Sequence, residues 1–577
     1  MKLSQGGVKM ARLVCAITII AAFAAVEAGA AMKLTVVNPM ERVRIDQPVT
    51  GGAAAEIYAA RGEYESFQVV VTAQNGSLVD VNAAANPLKN DAGAVLEASN
   101  VTLYREVFVP VRHSVRHAVC PPGLVPDALV PFENPYTGKK IPEPKWTGEG
   151  RVGPRFGAAD FDVFDGQNGV IWADVYVPPD AETGVYEGSL KVTADNVAPA
   201  EVPVRLTVWN FTLPPGPTHE NHFGGFERVA GYLGLDAKSE QFHIIEDRYI
   251  EMMANHRINP PIPARLKPEV AEDGSPEFSE EITADWVQFI ERYNVTNVQV
   301  PRAPFGDVTG ANRQKAINFY RGWYAFLEKN GWAKGAYLYM LDEPNDPEAY
   351  ERVRQLGALV AEAEPRLRRL VVEQPYTQNP SWGTLDDAID IWCPLFGFIH
   401  EESVARVQTN GDEVWSYTAL VQTAPPYHPE YEAVKEWKPP FWEFDFPPAS
   451  YRMATWLNRR YNVTGLLYWS SVYWGSPDRN PWDDPGFRVR YNGEGALFYP
   501  GDDAGIEGPV ASIRLKNLRD GMEDYEYFAL LEKRSDPEAV LSIVKTAAPD
   551  WGNITYDSGK ILELRRDLGA AIEQSGG

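Results

Sequence analysis

Two carboxylates stand side by side at Asp342 and Glu343. They follow a strongly apolar run, Tyr337-Leu-Tyr-Met-Leu341, and precede Pro344, which ends a strand because it has no N–H to donate. The next helix has its own start signal, with Asp346 as N-cap and Pro347 at the first helical position, so neither acid is needed as a cap. The bland reading is a solvated turn with two chance acids. At the end of a buried strand the chemical reading gains weight. Like charges in contact push one pKa up, so one carboxyl can stay protonated as a general acid while the other stays ionised. Glycoside hydrolysis needs that division of labour.

In the usual retaining mechanism the two carboxyls sit on opposite faces of the sugar, an arrangement adjacent residues reach poorly. They suit substrate assistance better, in which the sugar's own 2-acetamido group attacks. One carboxylate then steadies the acetamido N–H and the other protonates the leaving oxygen. A protein nucleophile is expected at the far end of a later strand, Glu413-Val-Trp-Ser-Tyr-Thr418, but its one acid, Glu413, lies at the start. Glu373 is the spare carboxylate nearby.

Aromatic residues crowd the same stretch of chain. Trp415, Tyr417, Trp469, Trp474 and Trp482 offer rings on which the C–H faces of a sugar can stack, and Asn480, Asp483 and Asp484 can take hydroxyls. The competing reading places Trp415 and Trp469 in a core. Trp482, in a long loop, is expected to be free of one.

These residues need a scaffold that gathers strand ends. From residue 218 onward, short apolar strands alternate with amphipathic helices. Strands are expected at 222–226, 259–264, 297–302, 335–342, 368–374, 391–397, 413–419 and 464–471. The second, around Pro260-Pro261-Ile262-Pro263, fits a sheet worst. This rhythm predicts a (β/α)8 TIM-type barrel over 218–535, with the carboxylates at the C-terminal ends of the strands, where barrels carry chemistry. A doubly wound sheet is the alternative, but no glycine-rich dinucleotide fingerprint follows any strand. Long loops follow the seventh and eighth strands, at 421–448 and 472–510. Residues 31–213 read as a β-sandwich, with Val202, Val204, Leu206 and Val208 at strict period two. Its stretch from His113 to Gln167 is rich in Pro and Gly and predicts a segment that wraps a surface or reaches the next domain. Pro214-Pro215-Gly216-Pro217 makes the linker at 214–217, and 536–577 reads as a helical extension.

Residues 1–30 read as a signal peptide: Lys2, Lys9 and Arg12, an apolar run from Leu13 to Val26, then Ala28-Gly29-Ala30. The chain is therefore expected to be secreted or periplasmic, with no membrane span. Lys and Arg number 54 against 79 Asp and Glu, for a net charge of −25, which disfavours nucleic acid and anionic membrane surfaces as partners. A chain of 577 residues with 44% apolar content is long enough for more than one folded core. Its 3 cysteines rule out a disulfide scaffold, and Cys120 and Cys393 are expected as separate buried thiols.

Other constellations are poor. His219-Glu-Asn-His222 is one residue short of the helical zinc-protease spacing, and Gly501-Asp-Asp-Ala-Gly505 lacks the spaced acids of a calcium loop. No metal and no cofactor is expected. Arg514, Arg519, Asp520, Glu523, Asp524 and Glu526 on one predicted helix read as an ion-pair network with a structural role.

Several motifs together resemble glycoside hydrolase family 123 and its many uncharacterised relatives. They are Leu341-Asp-Glu-Pro344, Ile391-Trp-Cys-Pro394, Glu413-Val-Trp-Ser-Tyr417, Gly465-Leu-Leu-Tyr-Trp469 and, most specific, Arg519-Asp-Gly-Met-Glu-Asp-Tyr-Glu-Tyr527. Arg61-Gly-Glu-Tyr-Glu-Ser-Phe-Gln68 and Gly184-Val-Tyr-Glu-Gly188 resemble that family's sandwich domain. The resemblance implies an exo-acting β-N-acetylgalactosaminidase with a substrate-assisted retaining mechanism and a glycan or glycoconjugate substrate. It makes Asp342 the acetamido-orienting residue and Glu343 the acid/base. The alternatives are a glycosidase of the same fold on another glycan with a protein carboxylate nucleophile, and a non-catalytic carbohydrate-binding protein.

Overall fold

The computed structural model describes residues 29–148, 150–476 and 479–576. Most of the expected signal peptide lies outside them. The N-terminal region is rich in sheet. One sheet runs in the order Ala31–Val37, Glu63–Gln74, Asn168–Val177, Val101–Val111, Gly123–Pro131. The other holds Phe161–Val163, Leu78–Ala85, Gly184–Ala194, Val197–Thr212 and Ala55–Arg61 along its main path. Both feed one apolar core, to which Ile57, Phe67, Val69, Val71, Leu190, Val192 and Leu206 contribute. Val202, Val204, Leu206 and Val208 are buried and their odd-numbered neighbours Glu201, Pro203 and Arg205 are exposed, so the period-two reading of that strand holds.

The first sheet does not end with the N-terminal region. Pro509–Ser512 pairs antiparallel with Gly123–Pro131, and Phe498–Pro500 pairs with Pro509–Ser512. The tail of the long loop after the eighth barrel strand is therefore stitched into the N-terminal sheet, inside the span assigned to the barrel. Contact also runs the other way. In the Pro- and Gly-rich stretch, the backbone N–H groups of Val119 and Cys120 donate to Asp445 O, and Val115 packs on Phe441 and Phe446 of the loop after the seventh strand.

The second half of the chain builds a curled parallel sheet. Its order is Glu220–Phe223, Gly465–Tyr468, Glu413–Tyr417, Ile391–Trp392, Arg368–Val372, Ala336–Asp342, Val298–Val300. These are the expected strands one, eight, seven, six, five, four and three. The expected second strand does not form, and the closed eight-stranded barrel is corrected to this seven-stranded sheet. The reason is chemical: Pro260, Pro261 and Pro263 have no N–H to give a ladder. Asparagine side chains bridge the seam instead. Asn259 N donates to Asn221 Oδ1 (2.8 Å), Thr296 N donates to Asn259 Oδ1 (2.9 Å), and Asn297 Nδ2 donates to Asn221 O (2.9 Å). Inside the curl, Tyr337, Leu370, Val372, Ile391, Cys393, Trp415, Tyr417 and Leu467 pack together. Gly465 is required there, because a Cβ would lie 2.4 Å from the Trp415 ring.

The helix Ile513–Glu532 carries the most specific of the sequence motifs and is buried on nearly every side. Arg514 pairs with Asp127, and Lys516 and Arg519 pair with Asp174, both acids belonging to the N-terminal sheet. Glu523 pairs with Arg257, and Asp524 with Arg452 and with Arg565 of the last helix, Ser558–Gln574. Beyond 536 the chain forms the helices Pro537–Ala547 and Ser558–Gln574, and Gly569 lies against Trp209. Cys120 and Cys393 are both free thiols, Cys393 buried and Cys120 only half-buried. Among the described residues no helix is long and apolar enough to cross a membrane.

Asp127 accepts two parallel bonds of 2.9 Å from Arg514, and a third from Tyr499. Asp127→Ala strands a guanidinium in the interior. Stability should fall by about 3–5 kcal/mol, read as a lowered midpoint in urea unfolding; a loss below about 1 kcal/mol would show that the pair is not a tie between the two halves.

Candidate active site

The strand Ala336–Asp342 is built of residues that favour a buried sheet, and it lies between Val298–Val300 and Arg368–Val372. Tyr337 and Tyr339 face the interior of the curl, whereas Leu338 and Met340 pack on the helix side. Strict alternation would turn Asp342 away from the interior. The register shows why it does not turn away: Tyr339 pairs with Leu370 and Leu341 pairs with Val371, so one extra residue is inserted. Leu341 then packs outward with its predecessors, and Asp342 returns to the side of Tyr337 and Tyr339. Such bulges re-aim side chains at the rims of barrels.

Glu343 follows with φ of 41°, a left-handed conformation that costs a non-glycine residue about 1–2 kcal/mol. Pro344 is buried behind it. Asp346 caps the next helix, Pro347–Ala363, by accepting from Ala349 N at 2.6 Å, so both preceding acids are free of capping duty. Asp342 and Glu343 are exposed at the C-terminal end of the sheet. Each is held by its own tyrosine: Tyr339 donates its hydroxyl to Asp342 Oδ1 (2.7 Å) and Tyr417 to Glu343 Oε1 (2.5 Å). Burial and these carboxylates push both phenols up, so both stay donors at any ordinary pH.

Glu373 lies just past the neighbouring strand, where Asp342 pairs with Val372. It is buried and accepts from Tyr350 OH (2.8 Å), from Gln374 and from Gln378. Burial pushes its carboxyl up to about 8, and the charge of Glu343 adds to the rise. Sequence reading named Glu373 only as a spare acid and missed Tyr339, whose role depends on the bulge.

A cavity of about 620 Å³ opens at the seam that the second strand leaves, lined in part by Pro261, Ile262 and Pro263. His222, Gln299, Arg302 and Trp469 are among its lining residues, over an apolar floor that includes Phe242 and Tyr249. Arg302 donates to Tyr339 O (3.0 Å), and the His222 ring meets the Tyr339 ring edge-on, so the wall touches the tyrosine that holds Asp342. Burial pulls His222 down to about 4 and His219 to about 3, so both are neutral. His222 bonds to Tyr337, His219 bonds to Asn458 and stacks on Tyr525, and Glu220 pairs with Arg368. Among the described residues no three His, Cys, Asp or Glu gather as a metal site.

The structure separates the aromatic candidates. Tyr417 and the half-buried Trp469 stand at the site. The Trp469 indole donates to buried Glu494, which also accepts from Leu420 N at 3.1 Å. Trp415 fills the interior of the curl, fully buried against Tyr337. Trp474 is buried against Tyr232 and donates to Phe498 O at 2.8 Å. Trp482, expected as a platform free of any core, is 1% exposed, stacks on Phe156, packs at a tilt against Tyr499, and donates to Pro500 O. The cause is the stitched loop, whose strands carry Trp482 into the N-terminal core. Asn480 spends its side chain on Asp503 and Trp482 N, Asp483 pairs with Arg155, and Asp484 with Arg479.

Trp482→Ala should therefore cost about 3–5 kcal/mol of stability, measured by thermal unfolding, with affinity for a sugar ligand unchanged in the folded fraction. Trp469→Ala should do the reverse. Tyr417→Phe should lower turnover by roughly 10–100-fold with little change in melting temperature, as expected when one charged hydrogen bond in a reacting site is lost; full activity would remove Tyr417 from the site.

Residues 305–531 match the family model described as the Glycoside hydrolase 123 catalytic domain. Among solved structures, a family 123 glycoside hydrolase from Clostridium perfringens, studied for glycolipid glycan hydrolysis, superposes with a TM-score of 0.64. It is 14% identical, and the match covers 94% of this chain and 97% of that one. A family 39 glycoside hydrolase from Bacteroides cellulosilyticus matches at a TM-score of 0.32 and 11% identity, over 82% and 81% of the two chains. A Bacteroides ovatus GH5 xyloglucanase matches at 0.28 and 9%, over 85% and 100%. Likeness that faint says nothing about chemistry. No curated protein matches the sequence. The strand end that carries Asp342 and Glu343 thus lies within the span that matches the glycoside hydrolase 123 catalytic-domain model, and the chain's resemblance to family 123 extends to its fold.

Proposed function

We propose that this chain is an exported glycoside hydrolase that removes terminal β-linked N-acetylhexosamine, β-GalNAc first, by substrate-assisted retaining catalysis. One observation carries the reading: the bulge turns Asp342 inward beside Glu343, and each acid rests on its own tyrosine. Where a protein nucleophile would stand, at the far end of the seventh strand, the chain offers Tyr417, Thr418 and Ala419. The glycolipid glycans hydrolysed by the Clostridium perfringens protein fit a glycoconjugate end as substrate.

The sugar lies with its ring towards Trp469 and its acetamido group towards Asp342. Protonated Glu343 gives its proton to the glycosidic oxygen as the C1–O bond breaks. The acetamido carbonyl oxygen takes the C1 position from the opposite face. Positive charge develops on the acetamido nitrogen, and Asp342, kept in place by Tyr339, faces its N–H. The leaving alcohol departs, Glu343 removes a proton from water, and the water oxygen opens the cyclic intermediate at C1. Two inversions retain configuration, and Glu343 ends protonated as it began.

The competing reading uses Glu373 as nucleophile. Its burial leaves it mostly neutral near pH 7, with its oxygens engaged by three donors, which suits attack poorly. A purely binding role leaves the paired acids without a purpose.

A panel of aryl β-GalNAc, β-GlcNAc, β-galactoside and β-glucoside substrates tests the reading. Only the acetamido sugars should react, and a thiazoline mimic of the cyclic intermediate should compete more tightly than substrate. Asp342→Asn should remove most activity, and Glu343→Gln should cut turnover by roughly 10²–10⁴-fold on poor leaving groups but less on activated ones. Ready hydrolysis of a plain β-galactoside would reject substrate assistance.

A further inference from the structure

The Glu343 turn is strained and exposed, yet the acid it carries must meet a glycosidic oxygen within a few tenths of an ångström. Something must therefore hold the turn from behind. Gln378 donates from Nε2 to Pro344 O (3.1 Å) and to Asn345 Oδ1 (3.2 Å), the two residues that follow Glu343. The same amide nitrogen lies 3.2 and 3.3 Å from the two carboxyl oxygens of Glu373. Glu373 is itself fixed by Tyr350, from the helix that begins just after the turn, and by Gln374. Its backbone carbonyl accepts from Cys393 N at 3.1 Å, which ties it to the next strand over.

We propose that Glu373 is a positioning residue for Glu343: through the Gln378 amide it clamps the Pro344–Asn345 turn and so holds the acid in its left-handed conformation. The inference rests on Glu343 being the acid, and it gives a role to the one carboxyl that would otherwise be read as a rival nucleophile. The connection is physical and short, running from carboxyl to amide to the backbone of the turn. A glutamine at 373 keeps one acceptor but sets a second NH2 group against that of Gln378, so the clamp opens without loss of volume.

The two roles predict different kinetics. A clamp acts on protonation of the leaving group, so its loss shows most where protonation is needed. For Glu373→Gln and Gln378→Ala, kcat on 4-methoxyphenyl N-acetyl-β-galactosaminide should fall by about 10–100-fold, the cost of a misplacement near 1 Å. On the 4-nitrophenyl substrate the fall should be within about threefold, because that alcohol leaves with little help from an acid. KM should hold in both. Gln378→Ala leaves the carboxyl in place, so it reports on the clamp even where a change at 373 harms folding. Azide added to Glu373→Ala should restore nothing, and a 2-fluoro glycoside should leave no sugar on Glu373. Equal losses on both substrates, azide rescue with an inverted glycosyl azide, or a covalent sugar on Glu373 would each overturn the proposal. Glu343→Gln, run alongside, separates the two failures. If it shows the leaving-group dependence and the Glu373 and Gln378 variants do not, only the clamp falls. If it shows none, the acid assignment falls and the clamp falls with it.

Discussion

The structure depends on charge buried where its two halves meet. The helix Ile513–Glu532 presents Arg514, Lys516 and Arg519 to Asp127 and Asp174 of the N-terminal sheet, and Glu523 and Asp524 to Arg257, Arg452 and Arg565 on the other side. Taking such groups out of water costs several kcal/mol each, and only close pairing offsets it. The network therefore fixes relative position more than it adds stability. Apolar residues at the same places could slide; a fork of guanidinium N–H groups on a carboxylate cannot. The pairing of Pro509–Ser512 with Gly123–Pro131 ends at Ser512, the residue just before this helix, so backbone ladder and ion pairs enforce one geometry.

That geometry reaches the C-terminal ends of the parallel strands. With the loop after the eighth strand anchored at Phe498–Pro500, its earlier part lies against the strand ends, and Glu494 grips the Trp469 indole and the backbone of Leu420. Trp469 at the candidate site is thus positioned from the far side by the interface between the halves. Burial pushes Glu494 up to about 7, with the Trp469 and Leu420 bonds opposing the rise. On the opposite rim, the proline segment at 260–263 leaves a seam in place of a strand, and the asparagine bridges seal its base while the cavity lined by Gln299, Arg302 and Trp469 stays open along it. An ordinary second strand would bring another row of side chains to the same place. Closing the ladder and keeping this cavity are competing uses of one stretch of chain.

Much of this was legible in the residues. The cap at Asp346, the period of Val202 to Val208 and the poor fit of Pro260–Pro263 to a sheet all rest on local rules, and the structure agrees with each. The charged motif from Arg519 to Tyr527 also read as structural, because acids and bases three or four apart on one helix pair readily. Its partners did not, since Asp127 and Asp174 lie hundreds of positions away. Trp482 misled for the same reason. Nothing near it in the chain says that the loop returns to a sheet begun far upstream, so it read as free when it is 1% exposed.

By itself the sequence determined the strand-and-helix rhythm, the candidate pair at Asp342 and Glu343 and the absence of a carboxylate at the far end of the seventh strand, because these follow from residue type and from neighbours within one turn or one strand. Tertiary structure alone decided that Asp342 faces inward, that Tyr339 and Tyr417 take one carboxylate each, that Trp469 stays half-buried at the candidate site while Trp415, Trp474 and Trp482 are consumed by cores, and that Glu373 stands behind the turn that carries Glu343. Each of these depends on register. One inserted residue in a strand reverses which face a side chain meets, and register is set by pairing between segments distant in sequence, which no local pattern encodes.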